Sequence, residues 1–146
     1  MSKFLLGAFL LLCIGISTIQ GMRKQGIAVR GKLMCGNIPA FNNTVVRTVD
    51  IDTGPDPDDT LDEKSINPDG TFKLVGFTRE LTDIDPVLYI WHDCLDLENP
   101  CLRHVTLVLP KKYIISSEPT TEEQWLDIGV LNLEGTFDNE KRECIR

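Results

Sequence analysis

Positive charge is in short supply in this sequence. Fifteen lysines and arginines stand against 22 aspartates and glutamates in 146 residues, a net charge of −7. Such a balance argues against sequence-independent nucleic-acid binding, which needs clustered cations to displace counterions from phosphates. It equally disfavours a general attraction to anionic membrane surface. Histidine is scarcer still, at two residues, which leaves little material for a nucleophile, base and carboxylate set. Sustained helical periodicity, internal repeats and low-complexity tracts are all missing, so the regular structure must come from short strands. Beyond the N-terminus no apolar run approaches the roughly 20 residues that cross a bilayer, and no C-terminal anchor signal follows Cys144.

What is present begins with Lys3 followed by the apolar stretch Phe4 to Ile16 and then small and polar residues. Positive, apolar, small is the order of a secretory signal peptide, and the stretch is too short for a membrane span. Cleavage after Gly21 predicts a leader over 1–21 and a single domain over 22–146, with Ser17 as another acceptable cut. Removing the leader takes away Lys3 and Cys13 and leaves 14 cations against 22 acids, a net charge of −8. Four cysteines remain, Cys35, Cys94, Cys101 and Cys144. An even set in an extracellular chain predicts two disulfides, with three pairings open, each bridge worth roughly 2–5 kcal/mol. Asn42-Asn43-Thr44 is an acceptor sequon, which predicts glycosylated Asn42 in a surface loop.

Ile27, Val29, Gly31, Leu33 and Cys35 share one parity while Arg30 and Lys32 take the other, the alternation of a half-buried strand. Asn43 to Asp52 is rich in β-branched residues, with Val45, Val49 and Ile51 on one parity and Val46 on the other, so its inner face stays open. Thr53 to Asp59 carries Gly54, Pro55 and Pro57 among acids and reads as a loop. Asn67-Pro68-Asp69-Gly70 predicts a turn joining about 62–66 to 71–77 in a hairpin. Val87 to Trp91 is apolar on both parities, which predicts a strand covered on both faces, placed centrally or under an end cap. Val105, Leu107 and Leu109 alternate, as do Leu126, Ile128 and Val130. Thr120 to Trp125 offers at most a turn or two of helix. These signals predict an all-β sandwich or barrel.

The motifs Gly26-Ile27-Ala28-Val29-Arg30-Gly31-Lys32-Leu33-Met34-Cys35-Gly36, Gly54 to Asp59, Ile84-Asp85-Pro86, His92-Asp93-Cys94, Pro100-Cys101 and Asp127-Ile128-Gly129 follow one another in an order that resembles the nematode transthyretin-like family. The resemblance runs from about Gln25 to Cys144. It implies a two-sheet antiparallel Greek-key sandwich of seven to eight strands, in a secreted protein. Val46 and Thr48 stand where family members usually carry a valine-x-leucine pattern. The family topology implies the pairs Cys94 with Cys101 and Cys35 with Cys144, on the premise that Cys35 ends its strand at the far end of the sandwich.

Several constellations are candidates for chemistry. His92-x-Cys94 and Cys101-x-x-His104 have the residue types of a zinc site, but cysteines oxidised to disulfides are not thiolate ligands. Asp50, Asp52, Asp56, Asp58, Asp59, Asp62 and Glu63 offer oxygen ligands of the kind calcium accepts, without the spacing of an EF-hand loop. Arg103, His104, Lys111 and Lys112 fall around one predicted strand and its exit, a local patch for an anionic ligand or a solvated edge that blocks strand-to-strand aggregation. Hydroxyisourate hydrolases share the implied fold but end in Tyr-Arg-Gly-Ser, whereas this chain ends Glu143-Cys144-Ile145-Arg146. The expectation is therefore a non-enzymatic extracellular binding or adaptor protein, monomeric or dimeric, without cofactor or metal. Its partner would be an extracellular protein, a cell-surface component or a small ligand. The alternatives are a carrier of an apolar ligand at a subunit interface, as in transthyretin, and a hydrolase.

Overall fold

The computed structural model describes residues 21–40, 43–55, 57–96 and 98–144. The predicted leader and Asn42 therefore lie outside the described residues, apart from Gly21. Ten strands follow in order: β1 (Arg23–Cys35), β2 (Ile38–Pro39), β3 (Val45–Asp50), β4 (Asp59–Ser65), β5 (Thr71–Glu80), β6 (Pro86–His92), β7 (Leu102–Val108), β8 (Ile114–Ile115), β9 (Trp125–Asn132) and β10 (Lys141–Glu143). The excess over seven or eight comes from β2, β8 and β10, each only two or three residues long. The expected helix is a single 3-10 turn at Glu122–Gln124.

Two five-stranded sheets form the expected sandwich. In the first, β1 is central, paired with β5 and β2 along one edge and with β8 and β9 along the other. The second has the order β10-β7-β6-β3-β4. Every pairing is antiparallel except β1 with β9. The chain reverses in the segment between β8, antiparallel to β1, and β9, so β9 enters alongside β1 in the same direction.

Ile27, Val29 and Leu33 of β1 enter the core with Leu74, Leu88, Ile90 and Val105, as their parity predicts. The open question in β3 is decided for Val46, which joins the core, with Thr48 buried beside it. β6 is the middle strand of its sheet, with Leu88 and Ile90 inward and Val87 and Trp91 buried on the opposite face. In β9 the alternation breaks: Asp127 lies opposite Arg30 but Val130 lies opposite Lys32, one residue more than a regular ladder needs. That bulge turns Val130 outward and gives Leu131 and Leu133 the inner face.

The predicted hairpin is not formed. Asn67–Gly70 does turn the chain, with Gly70 at φ +85° and its N–H donating to the Asn67 carbonyl at 2.8 Å. Yet β4 pairs with β3 and β5 with β1, so the turn is a corner between sheets. Side chains of β4 stand in for a ladder: Asp62 Oδ2 accepts the Val75 N–H at 3.0 Å and Lys64 Nζ donates to the Lys73 carbonyl at 3.1 Å.

The expected disulfide pairing is also corrected. The bridges are Cys35–Cys94, with Cα atoms 5.6 Å apart, and Cys101–Cys144, at 4.4 Å. The premise about Cys35 fails because β1 ends at the same end of the sandwich as β6. Register then chooses the partners: Leu102 lies opposite Glu143, which brings the flanking Cys101 and Cys144 together across β7 and β10. Cys35 and Cys94 are left to join one sheet to the other.

Candidate functional site

The outer face of the first sheet collects cations from strands far apart in sequence. β1 turns Lys24, Arg30 and Lys32 outward, opposite to Ile27, Val29 and Leu33. β5 places Arg79 opposite Lys24 and Lys73 opposite Arg30. Lys64 reaches in from β4 at the sandwich corner. Arg30, Lys32, Lys64 and Lys73 line a groove of about 550 Å³ that crosses from β9 over β1 and β5 to the β4 edge, within the roughly 300–1,000 Å³ of small-ligand pockets. Four cations around one groove stand out on a chain of net charge −7.

Their electrostatic states differ. Arg30 Nε donates to Asp127 at 3.0 Å and Nη1 donates to Glu122. These carboxylates, Glu122 foremost, raise its already high pKa. Lys64 pairs with Asp62 at 3.0 Å. Lys32 and Lys73 have no ion-pair partner within 4 Å among the described residues. Lys73 Nζ instead sits 5.3 Å from the centre of the Trp125 ring, which the Arg30 guanidinium also approaches, at 6.0 Å.

Asp127 and Gly129 of the Asp127-Ile128-Gly129 motif line the groove, while Ile128 packs against the core. Asp127 Oδ1 accepts the Gly129 N–H at 2.8 Å while Oδ2 holds Arg30, and both bonds keep its carboxyl below the usual range. Gly129 takes φ +69° at the bulge. On the inner face Ile128 lies so close to β1 that a Cβ on Gly31 would be 2.4 Å from Ile128 Cγ1. Gly31 is thus required for close approach, and Val130 forms part of the groove.

The other candidates are dispersed. The two histidines of the zinc set face opposite ways: His92 is fully buried inside, its Nδ1 accepting the Cys94 N–H at 3.2 Å, while His104 lies on the outer face of the second sheet. Burial, with Arg103 second, pushes the His92 pKa down to about 4. His104 stacks on Trp91 at 4.6 Å, with Tyr89 edge-on at 4.7 Å, and its pKa is lowered chiefly by burial. Glu143 Oε2 lies 2.7 Å from His104 Nδ1 without the alignment of a hydrogen bond. The four cysteines are bridged.

The sequence-level basic cluster separates as well. Arg103 turns inward and donates to Glu140 and to the carbonyls of Cys94, Leu133 and Gly135. Lys111 pairs with Asp85 at 2.6 Å, and Lys112 lies over Tyr113.

Among the acids, Asp56 lies outside the described residues. Asp58 accepts the Asp52 N–H, Asp59 the Thr78 hydroxyl, and Glu63 pairs with Arg47. Asp50 and Asp52 do approach one another, joined by Glu80, with one oxygen of each within 4.8 Å of the others. Burial raises the Asp50 pKa, and the nearby acids add to the effect.

Sequence reasoning missed the groove although it placed Arg30 and Lys32 outward. The strand alternation was the available signal; the arrival of Lys64 and Lys73 depends on register and on the corner at Asn67–Gly70.

The family model described as "TTR-52: Transthyretin-like family" matches residues 30–110. Transthyretin-like protein 46 of Caenorhabditis elegans is 47% identical over 138 residues, which cover 94% of this chain and 75% of that protein. Transthyretin-like protein 33 of the same organism is 41% identical over 94% of this chain and 92% of its own length. Transthyretin-like protein 5, also from C. elegans, is 38% identical over 93% and 96%.

Proposed function

The chain belongs to the transthyretin-like family, and on that premise we propose that it is an extracellular binding protein that holds an anionic ligand in the groove between β9 and β4. The observation that carries this reading is the convergence of Arg30, Lys32, Lys64 and Lys73 on one groove of an acidic chain. Lys32 and Lys73 are the working charges, because Arg30 and Lys64 are already matched by carboxylates. An extracellular setting is supported by two disulfides, which persist in oxidising compartments, and by the apolar leader-like stretch after Lys3. No described helix is long and apolar enough to cross a membrane.

Binding, not catalysis, is the activity we assign. The two histidines are buried on different faces, away from the groove, and the described cysteines are bridged. A carrier of apolar ligands gains no support from a groove into which Arg30, Lys32, Lys64 and Lys73 converge, and a hydrolase gains none from these histidines.

Trp125 reports on the groove. Titrating the oxidised protein with inorganic tripolyphosphate should change its fluorescence, with an affinity that falls as salt rises. Lys32→Ala and Lys73→Ala should each weaken binding by about five- to tenfold, on the order of 1 kcal/mol. No binding, or binding indifferent to both substitutions, would overturn the proposal.

A further inference from the structure

We propose that the occupant of this face is a linear sulfated polysaccharide, which rests on the reading of the groove as an anion site and deepens it to a ligand class. The groove is only half of the charged surface. Lys24 and Arg79 lie opposite one another at the other end of the β1–β5 ladder, on the same outward parity as Arg30 and Lys73. Both are exposed and neither has an ion-pair partner among the described residues. Six residues of strand separate Lys24 from Arg30, roughly 20 Å at about 3.3 Å per residue. A single small anion reaches one cluster and not the other.

Between the clusters the face carries little charge. Gly26 and Ala28 of β1 lie opposite Phe77 and Val75, and Ala28 lies opposite Trp125 on its other side. A ligand that fits must be long, carry anionic groups at intervals, and offer an uncharged surface to the middle. A sulfated sugar chain has these properties: sulfates for the clusters, and uncharged ring C–H faces for the stretch of Val75 and Phe77 between them.

A bilayer fits less well. Its surface is broad and cannot follow a groove, and the aromatic rings of this face lie beneath cations, Phe77 under Lys24 at 4.1 Å and Trp125 under Lys73. Among the large exposed apolar side chains of the described residues, only Val130 lines the groove. Membrane attachment through amphipathic surfaces needs apolar side chains free to enter the interface.

The test compares heparin-derived oligosaccharides, from a disaccharide to a dodecasaccharide, with tripolyphosphate and with vesicles of phosphatidylglycerol and phosphatidylcholine at one salt concentration. Affinity should climb with chain length until the saccharide bridges both clusters, then level off. The double variant Lys24→Ala/Arg79→Ala should leave tripolyphosphate binding unchanged and reduce the longest saccharide to the affinity of a short one, a loss of at least tenfold. Because both side chains are exposed, an unaltered melting temperature checks the fold. Tripolyphosphate binding without length dependence, or length dependence insensitive to the double variant, overturns the polysaccharide and leaves the anion site standing. Vesicle binding as tight as the longest saccharide also overturns it. If tripolyphosphate fails too, both readings fall together.

Discussion

His92 and His104 show how much one residue of offset decides. Trp91, not His92, lies opposite His104 across β6 and β7, so the two imidazoles point to opposite faces of one sheet. A zinc pair that is plausible on spacing is thereby excluded by parity. His92 is instead a neutral hydrogen-bond acceptor in the core, with a folded pKa near 4 against an ordinary 6.5. Between these values the unfolded chain binds a proton that the folded chain refuses. The resulting stability is complete above about pH 6.5 and is lost as pH falls toward 4, at up to about 1.4 kcal/mol per unit. His104, lowered in the same direction, adds to it. Thermal melts from pH 7 to 4.5 should therefore show falling midpoints. His92→Asn, which keeps an acceptor for the Cys94 N–H, should flatten much of the slope; an unchanged slope would rule His92 out as its source.

At the scale of elements, the corner between β4 and β5 is the clearest departure from expectation. The Asn67–Gly70 turn was legible because its residue types act locally. Which strands it joins was not, because partner choice depends on which faces must be buried. Asp62 connects the two edges, giving the Val75 N–H an acceptor that no strand supplies. Asp62→Ala should cost about 1–2 kcal/mol. Amide exchange should accelerate at Val75, while the N–H groups of β1 keep their protection; retained protection at Val75 would show that Asp62 is not its acceptor. The bulge in β9 is a comparable case: the order Asp127-Ile128-Gly129 is visible in sequence, but its fit over Gly31 is not.

For the whole molecule, the two disulfides differ in what they tie. Their sequence separations, 59 and 43 residues, differ by only about 0.3 kcal/mol in loop-closure entropy. Structure makes the larger distinction. Cys35–Cys94 joins the sheets, whereas Cys101–Cys144 fastens β10, a three-residue exposed strand, to β7. Cys35→Ala/Cys94→Ala should lower global stability by about 2–5 kcal/mol. Cys101→Ala/Cys144→Ala should cost less and should raise amide exchange mainly in β10. Equal global losses would show that β10 belongs to the cooperative core. Peptide mapping without reduction should recover Cys35 joined to Cys94.

Fold class, the outward direction of Arg30 and Lys32, the two-sided burial of Val87 to Trp91 and the presence of two bridges were determined by the sequence alone. Each follows from residue type and period over a few neighbours, the range across which a chain dictates its own conformation. Tertiary structure alone decided the disulfide partners, the separation of β4 from β5, the turn of Val130 to the outside and the convergence of Lys64 and Lys73 on Arg30 and Lys32. These depend on strand register and sheet order, which arise from burying both inner faces at once, and no local pattern records that choice.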